Sequence, residues 1–250
     1  MKRISILALC MLLGGATKAM AQDSAAQGAS VRMEWMQPFV AVDVQGPVKV
    51  TLCRVTDDQE PQISYDTQAN PDSRLKAAVD KSGVLRIQER GLHHSTDTVA
   101  LRVSYRQLES LKADGAHVAF ENPVEELMFD AAISGGAVVE LPLETTDAVV
   151  TITGKSSLKL SGRCRYLDLE ASTARVDASQ LKAHSARVEA THKADVVLHA
   201  LERLDASATQ AAVLYLEEPT ILRARSLFGG RVEPLEPAEE PAAETTSPEA

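Results

Sequence analysis

The sequence predicts an all-β fold of solenoid type, a parallel β-helix, and three observations carry that prediction. A plain phrase of alternating apolar residues followed by a small-residue turn recurs at a nearly constant spacing. Within each recurrence the apolar residues alternate with period two, which is strand texture. No recurrence contains an apolar stripe of helical length, and the leucine-rich pattern with its buried Asn is missing.

The spacing emerges when the two apolar residues before each turn, at i and i+2, are aligned. They are Leu111 and Ala113, Ala131 and Ile133, Val150 and Ile152, Leu169 and Ala171, Val188 and Ala190, and Leu204 and Ala206. Successive first members lie 20, 19, 19, 19 and 16 residues apart. After each turn an apolar residue returns, at Val118, Val138, Leu158, Val176, Val196 and Val213. A period near twenty marks one structural unit per repeat. Segments such as LKLSG, YLDLEAS, ARVEA and DVVLHA make that unit a coil of short strands. Each coil then hydrogen-bonds to the next along the axis, and inward side chains stack in columns. Leu111, Ala131, Val150, Leu169, Val188 and Leu204 are expected to stand in one such column. The many inward alanines predict a narrow interior without room for a buried ligand.

Glycine supplies the tight or left-handed backbone that a corner needs. Gly115, Gly135 and Gly154 occupy the first three corners, and Thr173, His192 and then Ala208 or Thr209 replace them. A different corner geometry, a bulge or a wider turn, is therefore expected in the later coils. Ahead of the repeats, residues 39–106 are strand-rich without a period. Residues 39–46 and 47–52 alternate across a Gly46-Pro47 break, and residues 62–65, 75–79, 84–88 and 99–105 are further strand candidates. This part can close one open end of the stack, whose bare edge would otherwise invite aggregation.

The two ends of the chain read differently. Lys2 and Arg3, the apolar residues 4–13 and Ala19-Met20-Ala21 form a signal peptide over residues 1–21. The apolar run is too short for a permanent membrane span, and Leu9 stands where a lipobox before Cys10 needs a small residue. Cleavage after Ala21 removes three basic residues and no acid, moving the formal charge from −9 to −12. So acidic a chain lacks the electrostatic footprint of a nucleic-acid binder. Residues 22–38 read as a linker, and residues 233–250, acidic and Pro-rich with little to bury, as a disordered tail. One domain over residues 39–232 lies between, with its repeats at about 107–217. Cys53 and Cys164 remain, free to pair in an oxidising compartment or to stand as small buried hydrophobes.

Several ordered segments resemble a known family. They are Phe39-x-x-Val42-x-Val44-x-Gly46-x-Val48-x-Val50-x-Leu52, then Ser82-Gly83-Val84-Leu85-Arg86-Ile87, then Val103-x-Tyr105-x-x-Leu108-x-x-Leu111-x-Ala113-x-Gly115-Ala116. Together they resemble the head GIN domain family, exported bacterial proteins described as autotransporter-adhesin heads, over residues 39 to about 217. The resemblance implies a right-handed parallel β-helix in the periplasm or at the cell surface, and it brings no catalytic residues. The chain departs from the family in losing the Ser-Gly-Ala corner after Gly154. It also ends in an acidic segment rather than in the amphipathic strands of a translocator barrel.

Candidate chemistry is sparse. Gly154-Lys155-Ser156 looks like the end of a phosphate-binding loop, but Val149 stands where its first Gly belongs and no helix follows. His93-His94 lies in a polar loop without a third ligand. His184, His192 and His199 are spaced by eight and seven, off the coil period. The carboxylate pairs Asp57-Asp58, Glu125-Glu126 and Glu217-Glu218 are chain neighbours, which in a strand face opposite ways. The Gly-Gly-x-Gly-x-Asp calcium repeat is missing. No catalytic, cofactor-binding or metal-ligating residue is assigned. The expected function is that of an exported, non-enzymatic solenoid that binds a surface glycan or an envelope protein, or serves structurally in the envelope. The other class is a polysaccharide-active β-helix with an outer acidic groove.

Overall fold

The computed structural model describes residues 31–66, 73–90 and 98–235. The expected signal peptide, residues 22–30, Cys10, the His93-His94 pair and residues 236–250 lie outside the described residues. In chain order the strands are β1 (Val31–Trp35), β2 (Ala41–Gln45), β3 (Val48–Arg54), β4 (Gln62–Asp66), β5 (Lys76–Val79), β6 (Val84–Gln88), β7 (Val99–Tyr105), β8 (Ser110–Asp114) and β9 (His117–Phe120). They continue as β10 (Met128–Ser134), β11 (Val138–Thr153), β12 (Ser157–Ser172), β13 (Arg175–Thr191), β14 (Asp195–Thr209), β15 (Ala212–Tyr215), β16 (Ile221–Leu227) and β17 (Arg231–Pro234). From β8 onward all pairings are parallel, each strand lying on the one a coil earlier, so the chain is a β-solenoid.

The stacked columns are the core. Leu111, Ala131, Val150, Leu169 and Val188 stand in register as the repeat predicts. The sixth member is Ala206 and not Leu204, which lies on Ala186 instead. The true step is thus 18 residues, and Ala224 follows after another 18. Leu204-x-Ala206 is the more apolar pair and draws the alignment, but the β13–β14 register slips between Ala178 and Lys182 and again between Ala183 and Ser185, which resets the phase. The column after the turn runs Val118, Val139, Leu158, Val176, Val196 and Val213. Val139 takes the inward place expected of Val138, which is 40 % exposed. Each fully buried Val, Leu or Ile in these columns contributes about 1.5–3 kcal/mol over its exposed state.

The first residue of the tight corner stays left-handed in every coil from β8 onward. Gly115, Gly135 and Gly154 have φ of 66°, 67° and 72°, and Thr173, His192, Gln210 and Phe228 follow at 54°, 51°, 54° and 50°. The expected change of conformation with the loss of glycine does not occur, and the last expected corner, Ala208 or Thr209, is Gln210. Inter-coil hydrogen bonds hold the non-glycine corners there: Thr173 N–H donates to Thr191 O (3.3 Å), His192 N–H to Thr209 O (3.2 Å) and Gln210 N–H to Leu227 O (3.2 Å). Each left-handed non-glycine residue costs about 1–2 kcal/mol, which stacking on both sides offsets. Corner width does vary, because Gly136, Lys155, Lys193 and Gly229 add a second left-handed residue.

The N-terminal strands form two further rungs in swapped order. Val42 of β2 lies on Leu111 and Leu85 of β6 lies on Val42, so the coil β2–β3 is inserted between β6–β7 and β8–β9. Antiparallel strands then cover the outermost rung: β5 pairs with β6, β4 with β7, and β1 with β4. Strand β1 falls within the stretch expected to be a linker, so residues 31–35 belong to the fold. At the other end β16 and β17 add a coil beyond the expected repeats and carry the fold to Pro234. Its repeat is blurred in sequence because its outward positions, Ile221 and Leu227, are as apolar as its inward Leu222.

Candidate functional site

Opposite the tight corner each coil bends a second time, and the burial alternation records it. In β11 the inward residues are Val139, Leu141, Leu143 and Thr145, and then the phase slips to Ala148, Val150 and Ile152. The same slip falls between Cys164 and Leu167 and between Ala183 and Ala186, and in β14 three residues rather than two separate the inward Ala200 and Leu204. A phase slip turns two consecutive side chains outward, and their stacking creates two adjoining clefts.

The larger cleft, of about 910 Å³, is lined by Glu125, Glu126, Leu127, Glu144, Arg163, Arg165, Lys182, His184 and Leu201 among others. Glu144, Arg163 and Lys182 are one column, one per coil. Arg163 Nη2 donates to Glu144 Oε2 at 2.7 Å. His184 Nε2 lies 2.5 Å from Glu202 Oε2. The Arg165 guanidinium sits 5.3 Å above the centre of the Tyr166 ring, a cation–π geometry. Leu127, 81 % exposed, and Leu201 supply apolar rim surface. Beneath them Cys164 is buried, and burial first, then the Asp147 charge, pushes its thiol up to about 12. A thiol held protonated is a poor nucleophile and metal ligand.

The second cleft, about 550 Å³, lies across the bend. Its outward columns are Met128, Asp147, Tyr166, Ser185 and Arg203, and Asp130, Val149, Asp168, Arg187 and Asp205. Arg203 donates to Asp205 Oδ2 from both Nε (2.9 Å) and Nη2 (2.7 Å). Arg187 Nη2 donates to Glu189 Oε1 at 2.6 Å.

The residues singled out from sequence scatter over the surface. Gly154-Lys155 is a tight corner whose Lys155 N–H donates to Thr173 O (2.7 Å), so its backbone serves the coil stack. His184 is at the second bend, His192 at the tight corner beside Ser172 Oγ (3.3 Å), and His199 is nearly buried with Nε2 3.4 Å from Glu217. Among the described residues no group of three or more His, Cys, Asp or Glu is placed to hold a metal. The Asp58 carboxylate accepts from the Thr56 hydroxyl, which lowers its pKa. Glu125 pairs with Arg54 at 2.6 Å, and Glu126 accepts from the Leu108 N–H at 3.3 Å. Cys53 and Cys164 are both free thiols. Sequence reading missed Arg163, Arg165, Tyr166, Lys182 and Leu201. Their signal in the sequence is the 19-residue spacing of Glu144, Arg163 and Lys182, which is weak because the charge changes sign along it.

The family model described as "Putative auto-transporter adhesin, head GIN domain" matches residues 38–218. The chain belongs to this family. Among solved structures, the head GIN chain is similar to a protein described as a "putative adhesin" from Bacteroides fragilis, with a TM-score of 0.69 and 18 % identity over 82 % of this chain and 96 % of the other. It is similar to a second "putative adhesin", from Parabacteroides merdae, with a TM-score of 0.62 and 16 % identity over 83 % and 96 %. A "putative lipid binding protein" from Parabacteroides distasonis matches with a TM-score of 0.58 and 14 % identity over 82 % and 96 %. At such identities the likeness establishes the head GIN fold alone. No curated protein matches the chain.

Proposed function

We propose that this head GIN protein is an exported, non-enzymatic, adhesin-like binder that engages an envelope or surface glycan along the second bend of its coils. The observation that carries the reading is the pair of clefts there, where Tyr166, Leu127, Leu201 and Met128 offer exposed apolar surface beside Arg165, Lys182 and Arg203. An apolar platform flanked by polar donors at each coil spacing of about 4.8 Å suits an extended chain laid across the strands. The family description and the adhesin-named structural neighbours support the reading, as does the signal-like start of the sequence for export. Binding of the full chain to a glycan array, compared with Tyr166→Ala and Lys182→Ala variants, tests it. Retention of the same glycans by both variants, or turnover of a defined polymer, would reject it.

A second reading, hydrolysis or elimination on a polysaccharide, is favoured by one observation. The smaller cleft gathers three carboxylates, Asp147, Asp168 and Asp205, with Arg187 and Arg203. Acid/base work on a sugar needs two carboxyls facing one bond. Asp205 is committed to Arg203, leaving Asp147 and Asp168 on neighbouring coils in adjacent columns. Release of reducing ends that Asp168→Asn abolishes would establish this reading over binding alone.

A further inference from the structure

The two ends of the solenoid are finished differently. Antiparallel strands cover the β6–β7 rung, whereas β16 and β17 pair only with β14 and β15 and, among the described residues, no strand pairs along their other edge. The core columns also stop there unfinished. Leu222 lies on Leu204 and Val232 on Val213; the lower members are fully buried, while Leu222 and Val232 are only half-buried. Ile221 and Leu227 stand exposed at the ends of β16, and Phe228 beyond it is 81 % exposed. Between them Arg223 and Arg225 point outward on the same face, two residues apart. Arg223 Nε is 3.8 Å from Asp205 Oδ1, too far for a hydrogen bond, and both hydrogen bonds to Asp205 come from Arg203 onto the other oxygen, Oδ2.

We propose that this terminal coil is a docking edge for an extended strand of another protein, one with carboxylates at alternate positions and branched apolar side chains between them. Such a strand completes the backbone hydrogen bonds of β16 by edge addition. Its apolar residues continue the columns over Leu222 and Ala224, and its carboxylates meet Arg223 and Arg225. Charge argues against a second copy of this chain: two-fold antiparallel pairing of β16 about Ala224 sets Arg223 of each copy opposite Arg225 of the other, and like charges so placed are destabilising. Residues 236–250 hold five Glu but no apolar side chain larger than Ala or Pro. Side chains of that size match Leu222 and Val232 poorly, and Pro237, Pro241 and Pro248 each lack the N–H that a ladder needs. The edge therefore selects a strand from elsewhere, through residues separate from the clefts at the second bend.

Fluorescence polarisation of the full chain with labelled Thr-Val-Glu-Val-Glu-Val-Thr tests the proposal, with the same peptide bearing Lys for both Glu as control. Saturable binding of the Glu peptide and none of the Lys peptide is expected. Combined Arg223→Glu and Arg225→Glu should weaken binding about ten-fold or more. Lys112→Glu, in the same outward column as Arg225 but six coils away, should leave it unchanged. Circular dichroism confirms that the variants fold. Absent binding, equal affinity for both peptides, or indifference to the arginine reversal overturns the proposal. So does binding that appears only once residues 236–250 are removed, which would make that segment the occupant. A concentration-dependent dimer abolished by Leu227→Asp would assign the edge to a second copy and overturn it too.

Discussion

Placing a carboxylate in the column at Val188 is the most direct test of the stack. Val188 is 0 % exposed and held between Leu169 one coil before and Ala206 one coil after. Val188→Asp forfeits about 1.5–3 kcal/mol of apolar burial and leaves a buried charge without a partner, a defect that costs about 3–5 kcal/mol. The combined loss, about 5 kcal/mol or more, is comparable to the whole stability of many domains. In a solenoid the damage reaches both neighbouring interfaces, since each coil is stabilised by the next. At about 2–4 °C per kcal/mol for a domain of this size, the melting temperature should fall by about 10–20 °C. Thr191→Asp, half-buried at the tight corner, loses only the long hydrogen bond from Oγ1 to Ala171 O (3.5 Å) and should cost under about 1.5 kcal/mol. Burial raises the pKa of the introduced carboxyl above its unfolded value. Its deficit against wild type should therefore be smallest below about pH 4 and grow as pH rises. The assay is thermal melting by circular dichroism in the strand region, because the single tryptophan, Trp35, is exposed on β1 and reports little of the core. Equal melting of the two variants, or a Val188→Asp loss under about 0.5 kcal/mol, would refute the inward assignment.

Other expectations follow from the same geometry. Ala206→Val alone should overpack at about 1–3 kcal/mol, whereas combined with Val188→Ala it refills the space, so a double-mutant cycle in urea should show coupling above about 0.5 kcal/mol. Gly162→Ala should cost several-fold more than Gly136→Ala. A Cβ at Gly162, whose φ is +98°, would fall 2.2 Å from Leu143 O, whereas nothing lies within 4 Å at Gly136, and chemical denaturation compares them. Thr173→Asn should gain about 0.5–1 kcal/mol, since Asn tolerates the left-handed corner better than a β-branched residue. A melting temperature at or below wild type would contradict it. Cys164 should resist maleimide while Cys53 reacts. With the unfolded thiol losing its proton near pH 9 and the folded one near 12, the native state holds the extra proton in that window. Stability should thus fall as pH rises through it, and Cys164→Ala should flatten that slope in alkaline melts.

The repeat was legible because inward residues must satisfy two conditions at once, apolarity and a constant coil length. Where both were strong, in the column before the turn from Leu111 to Val188, the structure stands where the period places it. Where inward residues shrink to Ala, as at Ala206 and Ala208, a larger neighbour such as Leu204 outweighs them and the reading slips by two. The last coil escaped notice for the related reason that its end position leaves outward Ile221 and Leu227 as apolar as its core. The belt at the second bend was legible in part, since Glu144, Arg163 and Lys182 keep the period, but its boundary is a phase slip that no residue type announces.

By itself the sequence determined that the chain is β-structured, how long the coils from Leu111 to Val188 are, and which side of most strands is dry, because period and alternation are local properties of a covalent string. The tertiary structure decided the order of the N-terminal rungs, the persistence of left-handed corners at Thr173, His192 and Gln210, and the gathering of Arg165, Tyr166, Lys182 and Arg203. Those outcomes depend on hydrogen bonds and stacking between residues a coil or more apart. Such contacts exist only after the coils have closed on one another.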